Sequence, residues 1–401
     1  MIYLDSAATT AVRREVLEAM WPYLTGDFGN PSSTHTLGER AALALAGARA
    51  SVAGSLGART SEIVFTSGGT EADNLAIKGI ALAAPRGRHL VTTPIEHEAV
   101  LESCDYLRRH HGFRVTFLTV DSTGLVDPDE FASALTPETT LSSIMYANNE
   151  IGTVQPIAQL AGIARAARVP FHTDAVQATG WLSLGVRELG VDALTISGHK
   201  LGAPKGIGAL FVRGRVALEP VLHGGGQERG IRSGTENVAA AVGLALALTL
   251  AEETREVDSA HTTTLRDEFI RSVCASVPDA LLTGHATSRL PGTASFCFPG
   301  TSGEAVLLEL ERRGIVCSSG SACAAGSDEP SHVLVALGIE PDLAQTAVRF
   351  TLSPSTTADD LRVAAAAVQS AVEAVRSLAP ADAVREDDGD RRRGALLREL
   401  P

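Results

Sequence analysis

Val191-Asp192-Ala193-Leu194-Thr195-Ile196-Ser197-Gly198-His199-Lys200 is the stretch from which the architecture reads. Its first six residues form an apolar, β-branched run of strand length, and the run stops abruptly in Ser-Gly-His-Lys. Comparable runs lie at 62–66, 89–93, 114–120, 141–146, 170–173 and 208–212, with a strand of this stretch at 193–197. Helical patterns such as 70–84 and 157–167 stand between several of them. Strand–helix alternation over this length predicts an α/β fold with a mostly parallel central sheet covered on both faces. Ligands of such sheets collect beyond the carboxyl ends of the strands. Polar clusters occupy those ends: Ser67-Gly68-Gly69-Thr70, Glu96-His97, Asn148-Asn149-Glu150, Asp174, and Ser197 to Lys200.

Lys200 and Asp174 turn this pattern into chemistry. A lysine among small residues at a strand end suits covalent capture of an aldehyde. An upstream strand-end aspartate suits a protonated ring nitrogen. Together they are what a pyridoxal phosphate (PLP) site requires. Ser67-Gly68-Gly69-Thr70 lets backbone approach a phosphate at a helix N-terminus; read alone, it is a glycine turn with Thr70 as N-cap. His97 suits stacking on a ring and proton transfer, although a lone histidine is more often structural. Asn148 and Asn149 follow another strand, and either suits a hydrogen bond to cofactor or substrate; Asn-Asn is also turn chemistry. Gln177 stands within one helical turn of Asp174, whose other reading is a helix N-cap. In the glycine-rich stretch 223–235, Arg232 and Thr235 add anion-binding capacity. Arg349, inside an apolar strand-like run, reads either as an outward-facing residue or as a clamp for an amino-acid carboxylate.

The 401 residues suffice for two domains, and 44% hydrophobic with 20% charged residues is an ordinary globular balance. A formal net charge of -13 disfavours non-specific binding to nucleic acid or to anionic membranes. No apolar stretch is long enough to span a bilayer and the start lacks signal-peptide character, so the chain is expected in the cytoplasm. Five cysteines, at 104, 274, 297, 317 and 323, form no CxxC pair, which argues against a disulfide framework or a zinc site. Cys323 lies in a run of small residues that offers no packing role, and an accessible thiol there suits nucleophilic work. The other four have apolar settings and read as structural. An alanine-rich helix from 237 to about 256 leads toward a second, smaller α+β domain. The tail from about 380 mixes acidic and basic residues without apolar periodicity and reads as a solvated, partly disordered end.

Combined, these motifs resemble the cysteine desulfurases, PLP enzymes of the class V aminotransferase group. The resemblance runs from Tyr3-Leu4-Asp5-Ser6-Ala7-Ala8-Thr9-Thr10 to about Leu378. It includes Phe28-Gly29-Asn30-Pro31, the run from Thr66 to Asn74, the run from Asn148 to Gly152, and Ser197-Gly198-His199-Lys200. Arg232-Ser233-Gly234-Thr235 and Ser318-Ser319-Gly320-Ser321-Ala322-Cys323 complete it. The serine-rich cysteine motif is similar to the branch with a longer, mobile catalytic loop.

The resemblance implies a PLP-dependent transferase fold of type I. It divides the chain into a large PLP-binding α/β domain at 13–258 and a small α+β domain from 1–12 and 259–378, with a charged tail at 379–401. Lys200 would bind PLP covalently and later move protons, His97 would stack on the ring, Asp174 would pair with its nitrogen and Gln177 with its hydroxyl. Gly69, Thr70, Ser197 and His199 would hold the phosphate, with Thr235 contributed across a homodimer. Asn148 and Arg349 would bind the carboxylate of the L-cysteine substrate. Cys323 would take the sulfur as a persulfide, release alanine, and serve a sulfur-acceptor protein in iron–sulfur cluster assembly, tRNA thiolation or related transfer. Another PLP enzyme on this scaffold, such as a selenocysteine lyase or an aminotransferase, would keep Lys200 and Asp174 but need Cys323 less.

Overall fold

A computed structural model describes residues 1–319 and 329–378. Its strands are β1 Ile2–Tyr3, β2 Ile63–Thr66, β3 His89–Thr92, β4 Arg114–Phe117, β5 Thr139–Ser143, β6 Phe171–Asp174, β7 Ala193–Ser197, β8 Gly208–Val212, β9 Leu281–Leu282, β10 Thr293–Cys297, β11 Ile315–Val316 and β12 Ala347–Thr351. The seven strand-like runs of the sequence become one sheet of order β2-β8-β7-β6-β5-β3-β4. Pairing is parallel from β4 through β7, and β8 runs antiparallel to both its neighbours. Most of these strands are buried along their whole length, as a sheet covered on both faces requires. The edge strand β4 is the exception and is partly exposed. It is also shorter than the expected 114–120: Leu118 N still donates to Thr92 O of β3 at 2.9 Å, but Val120 bridges to Val126 instead.

A second sheet, β12-β10-β9, is antiparallel. Its core centres on Phe269, Phe296 and Phe350, whose rings meet edge to face at centroid distances of 5.2–6.4 Å. The N-terminal β1 pairs with β11, and Leu4 is buried in this smaller core.

One helix, Val238–Ser276, joins the two cores. The sequence pattern suggested an end near 256, but the helix continues for 39 residues, roughly 58 Å at 1.5 Å per residue. No glycine or proline interrupts residues 244–276, and the helix stops just before Pro278, which disfavours helical geometry in the residue ahead of it. Its first half buries alanines and leucines of the larger core, and its second half buries Leu265, Phe269 and Val273 in the smaller one. The expected boundary at 258/259 therefore falls inside a continuous helix. Among the described residues, no helix is long and apolar enough to cross a membrane. The tail at 379–401 lies outside the described residues.

Phe269→Ala should lower stability by roughly 3–5 kcal/mol, the usual cost of removing a buried aromatic ring. A urea titration followed by far-UV circular dichroism should show an earlier midpoint, and an unchanged midpoint would contradict the bridging role of this helix.

Candidate active site

The carboxyl ends of β6 and β7 open onto a cavity of about 430 Å³. Asp174 is the last residue of β6 and Ser197 the last of β7, and Lys200 closes the tight turn Gly198–Lys200 just beyond. All three line the cavity, together with His97, Gln177 and His199. Lys200 Nζ donates to the carbonyls of Ala7 and Ala8, the latter at 2.9 Å, and Gln177 Nε2 donates to Ala7 O at 3.1 Å. This holding segment is the start of the chain, folded over the cavity. Nothing in the alanines themselves announced such a role.

The corner at the helix N-terminus forms where glycines let backbones touch. At Gly208, the first residue of β8, a Cβ would lie 2.7 Å from the carbonyl carbon of Gly68. That contact seats the helix Gly69–Ala83 with its N-terminus at the cavity. Its N-cap is Gly68 and no side chain caps it, so the N-cap reading of Thr70 fails; Thr70 sits in the first turn and lines the cavity. Gly69 packs against Ser197, and Ser197 Oγ is buried without a hydrogen-bond partner. His199 Nδ1 lies 3.2 Å from Thr9 Oγ1. Burial, then Lys200 and Lys205, pushes His199 down to about 4, so it is neutral at physiological pH.

Asp174 is buried and accepts from Val176 N at 2.9 Å. Burial raises it above the usual carboxylate range, against the pull of His97, of the Val176 amide and of Lys200. A buried acid in this state is matched by a ring N–H at its free side. His97 caps the helix Glu98–His111, with Nδ1 accepting from Ala99 N at 3.0 Å. A phosphorylated aldehyde with a basic ring nitrogen fits this set: an amine for the aldehyde, an acid for the nitrogen, and an unpartnered hydroxyl beside a helix N-terminus for the phosphate.

Two expectations need correction. Asn148 is fully buried and its amide is consumed by the fold. Its oxygen accepts from Glu150 N at 2.8 Å and Ile151 N at 3.0 Å, and its nitrogen donates to Ile95 O at 2.9 Å. The neighbouring Asn149 lines the cavity instead. Arg349 is not an outward-facing strand residue, being 2% exposed. It donates to Asp5 Oδ1 at 3.0 Å and to Asn149 O at 2.9 Å, while its Nε is buried without a partner.

The glycine-rich stretch 223–235 is pinned. Arg49 donates twice to Glu228, each time at 2.6 Å, and Glu228 accepts from Phe65 N at 3.0 Å. Arg232 is spent on Glu71, at 2.7 and 3.1 Å, rather than offered to a ligand. Thr235 is exposed and outside its own chain's cavity. Cys323 lies outside the described residues. Asp73, Glu96 and Glu150 also line the cavity. Asp73 escaped the sequence reading because its position on a helix face says nothing of burial.

The aminotransferase class-V family model matches residues 2–363. "Cysteine desulfurase IscS" of Dictyoglomus turgidum is 47% identical over 380 residues, covering 94% of this chain and 96% of that protein. A solved structure titled "NIFS-LIKE PROTEIN" superposes with a TM-score of 0.87 at 36% identity, over 93% of this chain and 99% of that one. Another, "SspA in complex with cysteine", gives 0.77 at 39% identity, over 89% and 100%.

Asn148→Ala strands three backbone groups and should cost about 1–3 kcal/mol, whereas Asn149→Ala should leave the unfolding midpoint within about 0.5 kcal/mol of wild type. Chemical denaturation of both variants checks this contrast, which equal losses would refute.

Proposed function

The chain belongs to the aminotransferase class-V family and is a PLP-dependent cysteine desulfurase, and from that premise we propose that its own Cys323 takes the sulfur of L-cysteine, leaving alanine. The supporting observation is one cavity that gathers Lys200 and Asp174 and to whose wall both flanks of the Cys323 segment are tied. On the leading side, Ser318 N donates to Arg349 O at 3.2 Å and Arg349 N to Ser318 O at 2.7 Å. On the trailing side, Ser331 Oγ donates to Glu150, and His332 Nε2 lies 3.2 Å from Glu96 O. Cys323 is five residues from Ser318, a reach of at most about 18 Å at 3.3–3.6 Å per residue.

When bound, PLP supplies an aldehyde that captures amines and a ring that accepts electrons. Lys200 would hold the aldehyde through its amine and would take the proton from the substrate Cα. Asp174 would keep the ring nitrogen protonated. His97 would cover the ring face, and Gln177 would pair with the ring hydroxyl. Gly69, Thr70, Ser197 and His199 would hold the phosphate, with Thr235 of the partner subunit. Asn149, in place of Asn148, would orient the substrate beside Arg349, whose buried Nε has no hydrogen-bond partner of its own.

Cys323 attacks as thiolate, because a neutral thiol is a poor nucleophile. The four described cysteines are unsuited to that step. Burial pushes Cys104 and Cys317 up to about 12 and Cys297 up to about 11, and it raises Cys274 as well. The resulting persulfide passes to an acceptor protein, in iron–sulfur cluster assembly, tRNA thiolation or related transfer. A reducing cytoplasm suits these free thiols.

A homodimer accounts for the exposed Thr235 and for an apolar row on the helix Arg14–Thr25. There Leu17, Trp21 and Leu24 are 53–63% exposed at helical spacing.

Cys323→Ala should keep the visible absorbance of bound PLP while losing at least about 100-fold in alanine formation, on the scale seen when a covalent nucleophile is removed; an active variant refutes the persulfide role. Leu17→Glu combined with Trp21→Glu should shift sedimentation from dimer to monomer and weaken PLP retention. A dimer that persists with these changes would place the interface elsewhere.

A further inference from the structure

Two acids in the cavity wall have no part in the roles above. Glu96 is fully buried. Its Oε1 accepts from Thr93 Oγ1 at 2.7 Å and from Met145 N at 2.9 Å, while its Oε2 is buried and meets no partner. Asp73, on the helix Gly69–Ala83, is 1% exposed, and its Oδ1 is likewise buried without a hydrogen bond. His172 Nε2 lies 3.7 Å from that oxygen. That histidine is no cation: burial pushes it down to about 3, and its nitrogens face Ser143 Oγ at 2.9 Å and Thr195 Oγ1 at 3.1 Å. Among the described residues, no arginine pairs with either acid.

An ionised carboxylate buried without a partner is costly, and neighbouring buried carboxyls do not all ionise. The bonding of Glu96 has the form of a neutral acid. One oxygen receives two donors as a carbonyl does, and the other, with none, has room for a proton. We propose that Glu96 and Asp73 are positioning residues, kept as neutral carboxylic acids beside Asp174 so that the negative charge of this cluster rests on Asp174, where the cofactor ring requires it. The consequence for the ring rests on the PLP reading, whereas the protonation of the two acids is measurable without it.

The surrounding groups agree. Burial raises Asp73 well above its usual range, with Asp174 and Glu96 adding to the effect and Thr195 opposing it. Burial raises Glu96 to about 8, against Met145 N and Thr93 Oγ1, with Asp174 reinforcing the shift and His97 opposing it. From the helix Glu98–His111, Cys104 faces Glu96 as a neutral thiol. Past β7, His199 is neutral, and Lys200 acts on Asp174. Glu150, from the loop after β5, is itself raised by burial.

The sign follows for stability. A carboxyl whose folded value is raised contributes fully below its unfolded value, and that contribution is lost as pH rises toward the folded value. For Glu96 the window runs from about 4.5 to about 8.

Isotope-edited infrared spectroscopy of the holoenzyme, with labelled Asp and Glu, tests the assignment. Wild type at pH 7 should show protonated side-chain carboxyl bands, one lost in Glu96→Gln and another in Asp73→Asn. The thermal midpoint of Glu96→Gln should exceed that of wild type by more at pH 8 than at pH 5. Glu96→Ala strands the Thr93 and Met145 donors and should raise the PLP Kd about tenfold, with Gln restoring it to within about threefold. Only ionised bands in wild type at pH 7, bands untouched by both substitutions, or no rescue by Gln would overturn the proposal. Failure of the PLP reading looks different: wild type would show no visible absorbance with added PLP, whatever the infrared bands do.

Discussion

The parallel register that sets Asp174 opposite Thr195 in the β6–β7 ladder is the constraint on which the site depends. It brings the end of one strand level with the run into Ser197 and Lys200, so an acid and an amine distant in sequence share one small cavity. A slip of one residue would turn Asp174 to the other face of the sheet. The chain start then closes the arrangement, since carbonyls of Ala7 and Ala8 hold the Lys200 amine on its far side.

Charge inside this cavity is managed by burial as much as by pairing. Asp73, Glu96, Glu150 and Asp174 all lie in a wall that penalises ionisation, and His172 and His199 are held neutral by the same penalty. Among the described residues that line it, Arg349 serves Asp5, and the Lys200 amine is held by the carbonyls of Ala7 and Ala8. Burial likewise raises the described thiols, Cys104, Cys274, Cys297 and Cys317.

Much of this was legible in the chain. Seven apolar runs separated by helical patterns announced the sheet, because a strand covered on both faces has to be apolar throughout. The polar residues that end those runs announced the site, because parallel strands present their carboxyl ends together. Asn148 and Asn149 show where reading stopped. The two are chemically identical neighbours, and only the hydrogen bonds of the following turn decide which amide is consumed. The helix Val238–Ser276 shows another limit, since its second half has weak apolar periodicity and is held by packing on the smaller core.

Local physics thus marked from sequence alone the seven strands of the main sheet, and it pointed to the glycines before a helix and to Lys200 with Asp174 as suited to an anion and to an aldehyde bearing a basic ring. Those properties depend on residues near one another in the chain. Tertiary structure alone decided the strand order, the closure by Ala7 and Ala8, the burial of Asn148 with Asn149 left on the cavity wall, and the burial of Asp73 and Glu96. Each of these depends on desolvation and on hydrogen-bond partners brought together from distant segments, and such quantities have no value until the chain has folded.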